Sequence, residues 1–256
     1  MHWHLWLDSA HPGPENMARD EALLELAASD GLRTLRLYRW APATLSFGAH
    51  EPALRRYDRD RIEALGLPVV RRPTGGRAVW HADELTYAVA APTDTFGTLA
   101  ETYHAIHTVI ADALRGLGAS VSLARKPVAP AALEDGACFA SPAGGEVIAR
   151  GRKVVGSAQL RRGGSFLQHG SILLSGSQAT VNDVTRGAPP HGADISLDAL
   201  LGRAVGAEEV AEQLARVARD GWIGPWEDAG PTADRAVALA ERHLARFRSD
   251  DWTWRR

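Results

Sequence analysis

A chain of 256 residues, 45% of them hydrophobic, can bury a substantial core and is short enough to form one domain spanning residues 1–256, with no accessory domain after it. A formal charge of −2 gives no global pull towards nucleic acid or acidic membrane, so the pairs Arg71-Arg72 and Arg161-Arg162 suggest a local anionic ligand instead. The opening residues lack the basic and apolar regions of a signal peptide, no apolar run is long enough to cross a bilayer, and the single cysteine, Cys138, excludes an internal disulfide or a cysteine-based cluster; the expectation is a cytoplasmic chain with no metal and no cofactor.

Residues 16–28 read as the first helix, with Ala18, Ala22, Leu23 and Leu26 at helical spacing and Asp20, Glu21 and Glu25 largely on the other face. Residues 32–38 and 44–47 read as strands separated by the turn signal Trp40-Ala41-Pro42. A short helix over 58–65 stops at Gly66, and a strand over 68–72 runs into the loop Pro73-Thr74-Gly75-Gly76. Residues 101–117 carry Tyr103, Ile106, Ile110, Ala113, Leu114 and Leu117 at helical spacing, and Gly118 ends the helix. Residues 126–145, with Pro127, Pro130 and Pro142, read as irregular loop, followed by a hairpin over 146–149 and 152–155 around Arg150-Gly151. Residues 166–174 continue the sheet, and 207–219 and 232–248 read as helices, the second with Val237, Leu239, Ala240, Leu244 and Phe247 along one face. Short strands alternating with helices predict an α/β domain, a mixed sheet flanked by helices.

Three constellations could carry chemistry. Residues 71–81 join Gly75 and Gly76 to Arg71, Arg72, Arg77 and His81; glycines let backbone amides approach a ligand, and guanidinium groups fork onto phosphate or carboxylate. No Lys-Ser or Lys-Thr follows the glycines, so this is not a Walker loop, and a tight turn with solvated arginines stays open as a reading. In the second, Lys153 precedes Gly156, Ser157 and Ala158 on a strand, where small residues leave space for a substrate beside the ammonium; a surface lysine lying over a sheet edge is the alternative. The third is Cys138-Phe139. A cation that lowers a thiol from ~8.5 to ~7 makes it about half thiolate for ~2 kcal/mol, and Lys153 is the candidate cation; a small buried hydrophobe is the alternative. His81 and His169 adjoin these segments, but neither completes a triad and no metal-ligand spacing occurs.

In order along the chain, Asn16-Met17-Ala18-Arg19-Asp20-Glu21-Ala22-Leu23, residues 71–81 with Glu84-Leu85-Thr86-Tyr87, Cys138-Phe139, residues 151–159 and Leu167-Gln168-His169-Gly170-Ser171-Ile172-Leu173 resemble the superfamily of lipoate-protein ligases, biotin ligases and octanoyltransferases, and within it the LipM-type octanoyltransferases. The resemblance runs from Asn16 to Leu173. It implies the biotin/lipoate ligase catalytic core, similar to that of class II tRNA synthetases. It also implies Cys138 as acyl acceptor, Lys153 on the acyl carbonyl, and Arg72, Gly75, Gly76 and His81 lining the site; Gly156, Ser157, Ala158 and His169 are expected beside the substrate as well. Arg77 stands where adenylating ligases usually have a third glycine, which favours transfer over ATP-driven ligation.

The expected reaction moves octanoyl from acyl carrier protein through a Cys138 thioester to a lysine of glycine-cleavage H protein or of a 2-oxoacid dehydrogenase lipoyl domain, in lipoate biosynthesis, with neither nucleic acid nor membrane as partner. The alternatives are the catalytic subunit of an ATP-dependent lipoate-protein ligase and a non-catalytic acyl or carrier-protein binding module. Arg161 and Arg162 are expected as docking charges for an acidic acceptor.

Overall fold

A computed structural model describes residues 2–124, 145–187 and 194–256. The first element is a strand that the sequence reading did not anticipate, β1 (Trp3–His11), followed by α1 (Gly13–Asp30), which carries Pro14 in its first turn and ends at Gly31 in the left-handed region. After β2 (Arg33–Trp40) and β3 (Thr44–Phe47) come the short helices α2 (Ala53–Arg56) and α3 (Arg59–Ala64), the latter capped by the Asp58 carboxylate accepting from the Arg61 amide. Next are β4 (Val69–Arg71), β5 (Val79–His81) and β6 (Glu84–Pro92). Helix α4 (Leu99–Gly116) starts two residues before the expected Glu101, because Thr98 and Glu101 form a reciprocal capping box and Glu101 is therefore its third residue.

Then follow β7 (Ser122–Leu123), β8 (Val147–Ala149), β9 (Arg152–Lys153), β10 (Val155–Arg162) and β11 (Ser165–Leu173). The turn between β8 and β9 has φ of 51° at Arg150 and 73° at Gly151, the paired positive angles of a two-residue hairpin. The expected second hairpin strand is divided: Lys153 ends β9 in a small sheet, and from Val155 the chain belongs to the main sheet. The C-terminal part carries α5 (Ala179–Asp183), α6 (Leu197–Leu201), α7 (Ala207–Gly221), β12 (Trp226–Asp228), α8 (Gly230–Arg248) and α9 (Asp250–Thr253).

The main sheet has the order β10-β11-β6-β2-β1-β12, with β1 parallel to both β2 and β12 and the other neighbours antiparallel. Alternate residues serve opposite faces. Leu35, Leu37, Leu85, Tyr87 and Val89 join a core with α4 and α7, while Tyr38, Trp40, Ala88 and Ala90 join one with α1 and α8. Every residue of β11 is buried, as a strand covered on both faces requires. The expected mixed sheet between helices is the fold found. A second sheet, β4-β3-β5, packs Leu45, Phe47 and Ala78 with Tyr57 and Trp254 into a smaller core, and β7-β8-β9 form the third.

Two expectations about helix faces are corrected. Asp20 and Glu21 are buried, because Asp20 meets Arg36, Tyr38 and His169, and Glu21 meets Arg162 and Arg246. On α8 the buried face is Ala236, Ala240, Leu244 and Phe247, and Val237 is exposed. No described helix is long and apolar enough to cross a membrane.

Candidate active site

The loop after β4 is braced from within. Arg72, on leaving β4, donates through Nη1 to the Ser46 carbonyl and hydroxyl at 2.9 and 2.5 Å, and through Nη2 to the carbonyls of Gly75 and Arg77 at 3.1 and 2.8 Å. A guanidinium whose forked donors hold its own loop shapes a site more than it grips an anion. Arg71 points the other way, and its Nε and Nη1 reach the carbonyls of Thr253, Gly48 and Glu51.

Both singled-out histidines are buried and held at both ring nitrogens. His81 lies 2.9 Å from Glu84 and 2.7 Å from Ser46 and stacks on Trp40 with ring centres 3.9 Å apart; burial lowers its pKa despite the Glu84 carboxylate. His169 lies 2.8 Å from Asp20 and 2.6 Å from Thr74, so it ties the loop to α1. Burial opposes ionisation of Asp20, but His169, Arg36 and Tyr38 together hold its pKa below the usual carboxylate value.

Arg72, His81, Gly156, Ser157, Ala158 and His169 converge, with Met17, Tyr38 and Trp40, on a cavity of about 20 Å³ on the α1 side of β10. That is space for a water, not for an eight-carbon chain. The larger space is an open, mainly apolar groove of about 870 Å³ on the α4 side, lined by Gly75, Gly76, Leu99, Tyr103, Leu123, Glu146, Ser157 and Ala158. Ser157 and Ala158 line both.

Lys153 is 2% exposed, and its Nζ donates at 2.6 Å to Oε1 of Glu146, the residue through which it meets this groove. The expectation of a surface lysine is thereby excluded. A buried ammonium needs an anion to answer it, and Glu146, itself buried, supplies that charge. Cys138 lies outside the described residues.

The residues missed from sequence are those behind Ser157. Its Oγ lies 2.8 Å from His107 Nε2 and 2.6 Å from the Tyr87 hydroxyl, and His107 Nδ1 lies 2.7 Å from the Gly145 carbonyl oxygen. Burial pulls His107 down to about 4, with the charge of Lys153 adding to the effect, and burial pushes the Tyr87 phenol well up. A signal was available, because His107 follows Tyr103 by one helical turn on the inward face of α4. Arg161 donates to Gly97, Thr102 and Gln159, and Arg162 pairs with Glu21, so both expected docking charges are already engaged within the chain.

Comparison with known proteins adds three findings. Residues 12–218 match the model of the lipoyl protein ligase A/B catalytic domain family. The chain is 36% identical to an octanoyltransferase LipM of Kyrpidia tusciae, covering 99% of each, and 34% identical to an octanoyltransferase LipM of an Exiguobacterium species, covering 99% of this chain and 98% of the relative. Among solved structures it is similar to lipoate-protein ligase A bound with ATP, with TM-score 0.80, 20% identity and 99% of each chain covered. It is also similar to a lipoate protein ligase of Thermoplasma acidophilum with bound lipoic acid, with TM-score 0.78, 19% identity and coverage of 99% and 100%. At those identities the structures show the fold.

Proposed function

The chain belongs to the lipoyl protein ligase A/B catalytic domain family, and from that premise we propose that it carries octanoyl from acyl carrier protein, by way of a Cys138 thioester, to a lysine of glycine-cleavage H protein or a lipoyl domain. It is an acyltransferase, with octanoyl as the group moved and lipoate biosynthesis as the setting. The observation that supports the chemistry is the buried Lys153–Glu146 pair, whose Glu146 lines an open apolar groove.

In the first step the Cys138 thiolate attacks the octanoyl carbonyl carbon. A carbon–sulfur bond forms to the enzyme, the bond to the carrier breaks, and the carrier thiolate takes up a proton. In the second step a lysine amine attacks the same carbon, an amide forms, and Cys138 recovers its thiol. Exchange of one thioester for another is nearly balanced and formation of the amide runs downhill, so neither step calls for a nucleotide. The negative charge that develops on the acyl oxygen in each step needs a donor already in place. Lys153 meets that need: Glu146 holds its Nζ in position, so little reorganisation is required as charge builds.

The ~870 Å³ groove has the room and the apolar lining for an octanoyl chain, with Leu99, Leu123, Ala124 and Ala158 as its walls. Arg72, His81 and His169 act by holding the loop of Gly75 and Gly76 against that groove.

Intact-protein mass spectrometry after mixing with octanoyl-acyl carrier protein, without ATP, tests this reading. The expected result is a gain of one octanoyl group that hydroxylamine removes and Cys138→Ser abolishes. Acylation of an acceptor only with ATP and free acid would overturn it in favour of the ligase, and carrier binding without any transfer would overturn it in favour of a binding module.

A further inference from the structure

On α1, Glu21 and Glu25 are one helical turn apart, so their carboxylates share a face, and that face meets His243 of α8. An oxygen of Glu21, an oxygen of Glu25 and a ring nitrogen of His243 all lie within 4.8 Å of one another.

Two details separate this cluster from an ordinary ion pair. His243 Nε2 stands 3.2 Å from Glu25 Oε1 without the alignment of a hydrogen bond, and the buried nitrogen has no hydrogen-bond partner among the described residues. Glu21 is 2% exposed; its Oε1 accepts from Arg162 at 2.5 Å and stands 3.2 Å from Arg246, while its Oε2 is buried, again with no hydrogen-bond partner among the described residues. A carboxylate oxygen and an imidazole nitrogen left unanswered side by side cost free energy that one shared ligand would recover.

We propose that Glu21, Glu25 and His243 bind a divalent transition-metal ion, zinc by its ligand set, with a water as the fourth ligand. Carboxylates exclude an anion, and the imidazole nitrogen favours zinc over magnesium or calcium. Ligands of one tetrahedral zinc lie about 3.3 Å apart. His243 Nε2 and Glu25 Oε1 already stand at that separation, and Glu25, 39% exposed, gives the ion a way in and the freedom to close on Glu21. The two arginines hold the other oxygen of Glu21, as a ligating carboxylate is ordinarily held. Their charge offsets that of the two carboxylates, so the binding is of moderate strength. The ligands come from helices more than 200 residues apart, which is why no spacing along the sequence announces them and the expectation of no metal could arise. None of the three lines the groove, so the ion ties α1 to α8 and acts on stability, whatever reaction the groove carries.

Tag-free protein stripped with EDTA and then titrated with zinc chloride tests the site, by metal analysis and by thermal melting. One zinc ion per chain is expected, with a rise in Tm of about 3–5 °C at tenfold excess over Kd. Glu25→Gln and His243→Gln, both at partly exposed positions, are each expected to weaken binding at least tenfold and to remove the rise. Magnesium at the same concentration is expected to give none. Absence of bound zinc would overturn the site and leave a water to bridge Glu21 and His243. Zinc held with wild-type affinity by both variants would place the ion elsewhere, for instance on Cys138, and overturn it as well. An equal rise with magnesium would overturn the assignment to a nitrogen-ligated ion.

Discussion

Gly48 lies against the turn of Gly75 and Gly76 so closely that a Cβ built on it would stand 1.8 Å from the Gly76 carbonyl oxygen and 3.1 Å from the Gly75 carbonyl carbon. Backbone on backbone has no side chain that can swing aside. Gly48→Ala must move the loop that walls the groove, whereas Gly75, around which a Cβ would meet open space, has no such constraint. Acyl transfer is expected to fall at least tenfold in Gly48→Ala and by less than threefold in Gly75→Ala. Acylation rates of the two purified variants check this, and equal rates would show that the loop tolerates displacement.

The buried histidine of α4 predicts a pH dependence whose sign can be worked out. Folding lowers His107 from an ordinary ~6.5 to about 4, so the unfolded chain takes up the proton first. Its contribution is complete above pH 6.5 and is lost as pH falls towards 4, at up to ~1.4 kcal/mol per unit and about 3 kcal/mol in all. Burial lowers His81 as well and adds to the same slope, so the informative quantity is a difference. Urea unfolding between pH 7.5 and 4 is expected to show a shallower fall in His107→Gln than in wild type. Parallel curves would mean that His107 is not buried as a neutral ring.

The difference between His107 and Lys153 shows what the sequence makes legible. Lys153 precedes Gly156-Ser157-Ala158, a local pattern in which small residues mark space, and the structure puts Ser157, Ala158 and the Lys153 partner Glu146 on a groove. His107 matters through Ser157, fifty residues later, and nothing in the helical periodicity of α4 says what strand will face it. The same limit hid the burial of Asp20, whose partners Arg36 and His169 come from other elements, and the strand β1, whose parallel neighbours β2 and β12 are not hairpin partners. Arg72 was legible as a loop residue but not as a brace, because the Ser46 carbonyl that absorbs its donors comes from β3. Where turn chemistry or capping is local, as at Arg150-Gly151 and Thr98 with Glu101, sequence reaches nearly to the residue.

Arg71 is fully buried and its Nε and Nη1 satisfy carbonyls of Thr253, Gly48 and Glu51, which joins the C-terminal helix α9 to the segment after β3. Burial and the nearby Arg255 and Arg256 draw its pKa down to about 10 against the pull of Glu51, so it stays charged at neutral pH. Lysine keeps the charge but cannot fork across those positions. Arg71→Lys is expected to lower unfolding free energy by about 2–4 kcal/mol, the cost of leaving buried carbonyls without donors. Chemical denaturation checks the magnitude, and a change below 0.5 kcal/mol would mean that water replaces the lost donors.

The Lys153–Glu146 pair allows stability and catalysis to be separated. Both side chains are buried and 2.6 Å apart, so removing either leaves a charge in a poor solvent for it. Glu146→Gln and Lys153→Met are each expected to lose about 3–5 kcal/mol of stability together with transfer activity. Replacing both at once removes the stranded charge. The double variant Lys153→Met with Glu146→Leu should therefore recover most of the stability, since apolar groups of similar size often replace buried ion pairs at little net cost. It should recover none of the activity, because no donor remains for the oxygen of the acyl group. Thermal melting and acyl-enzyme formation, measured on all three proteins, check the two halves independently. A double variant that regains both would assign the pair to folding alone and leave the oxyanion without Lys153, whereas regained stability with lost transfer identifies the ammonium as the group that answers the developing charge.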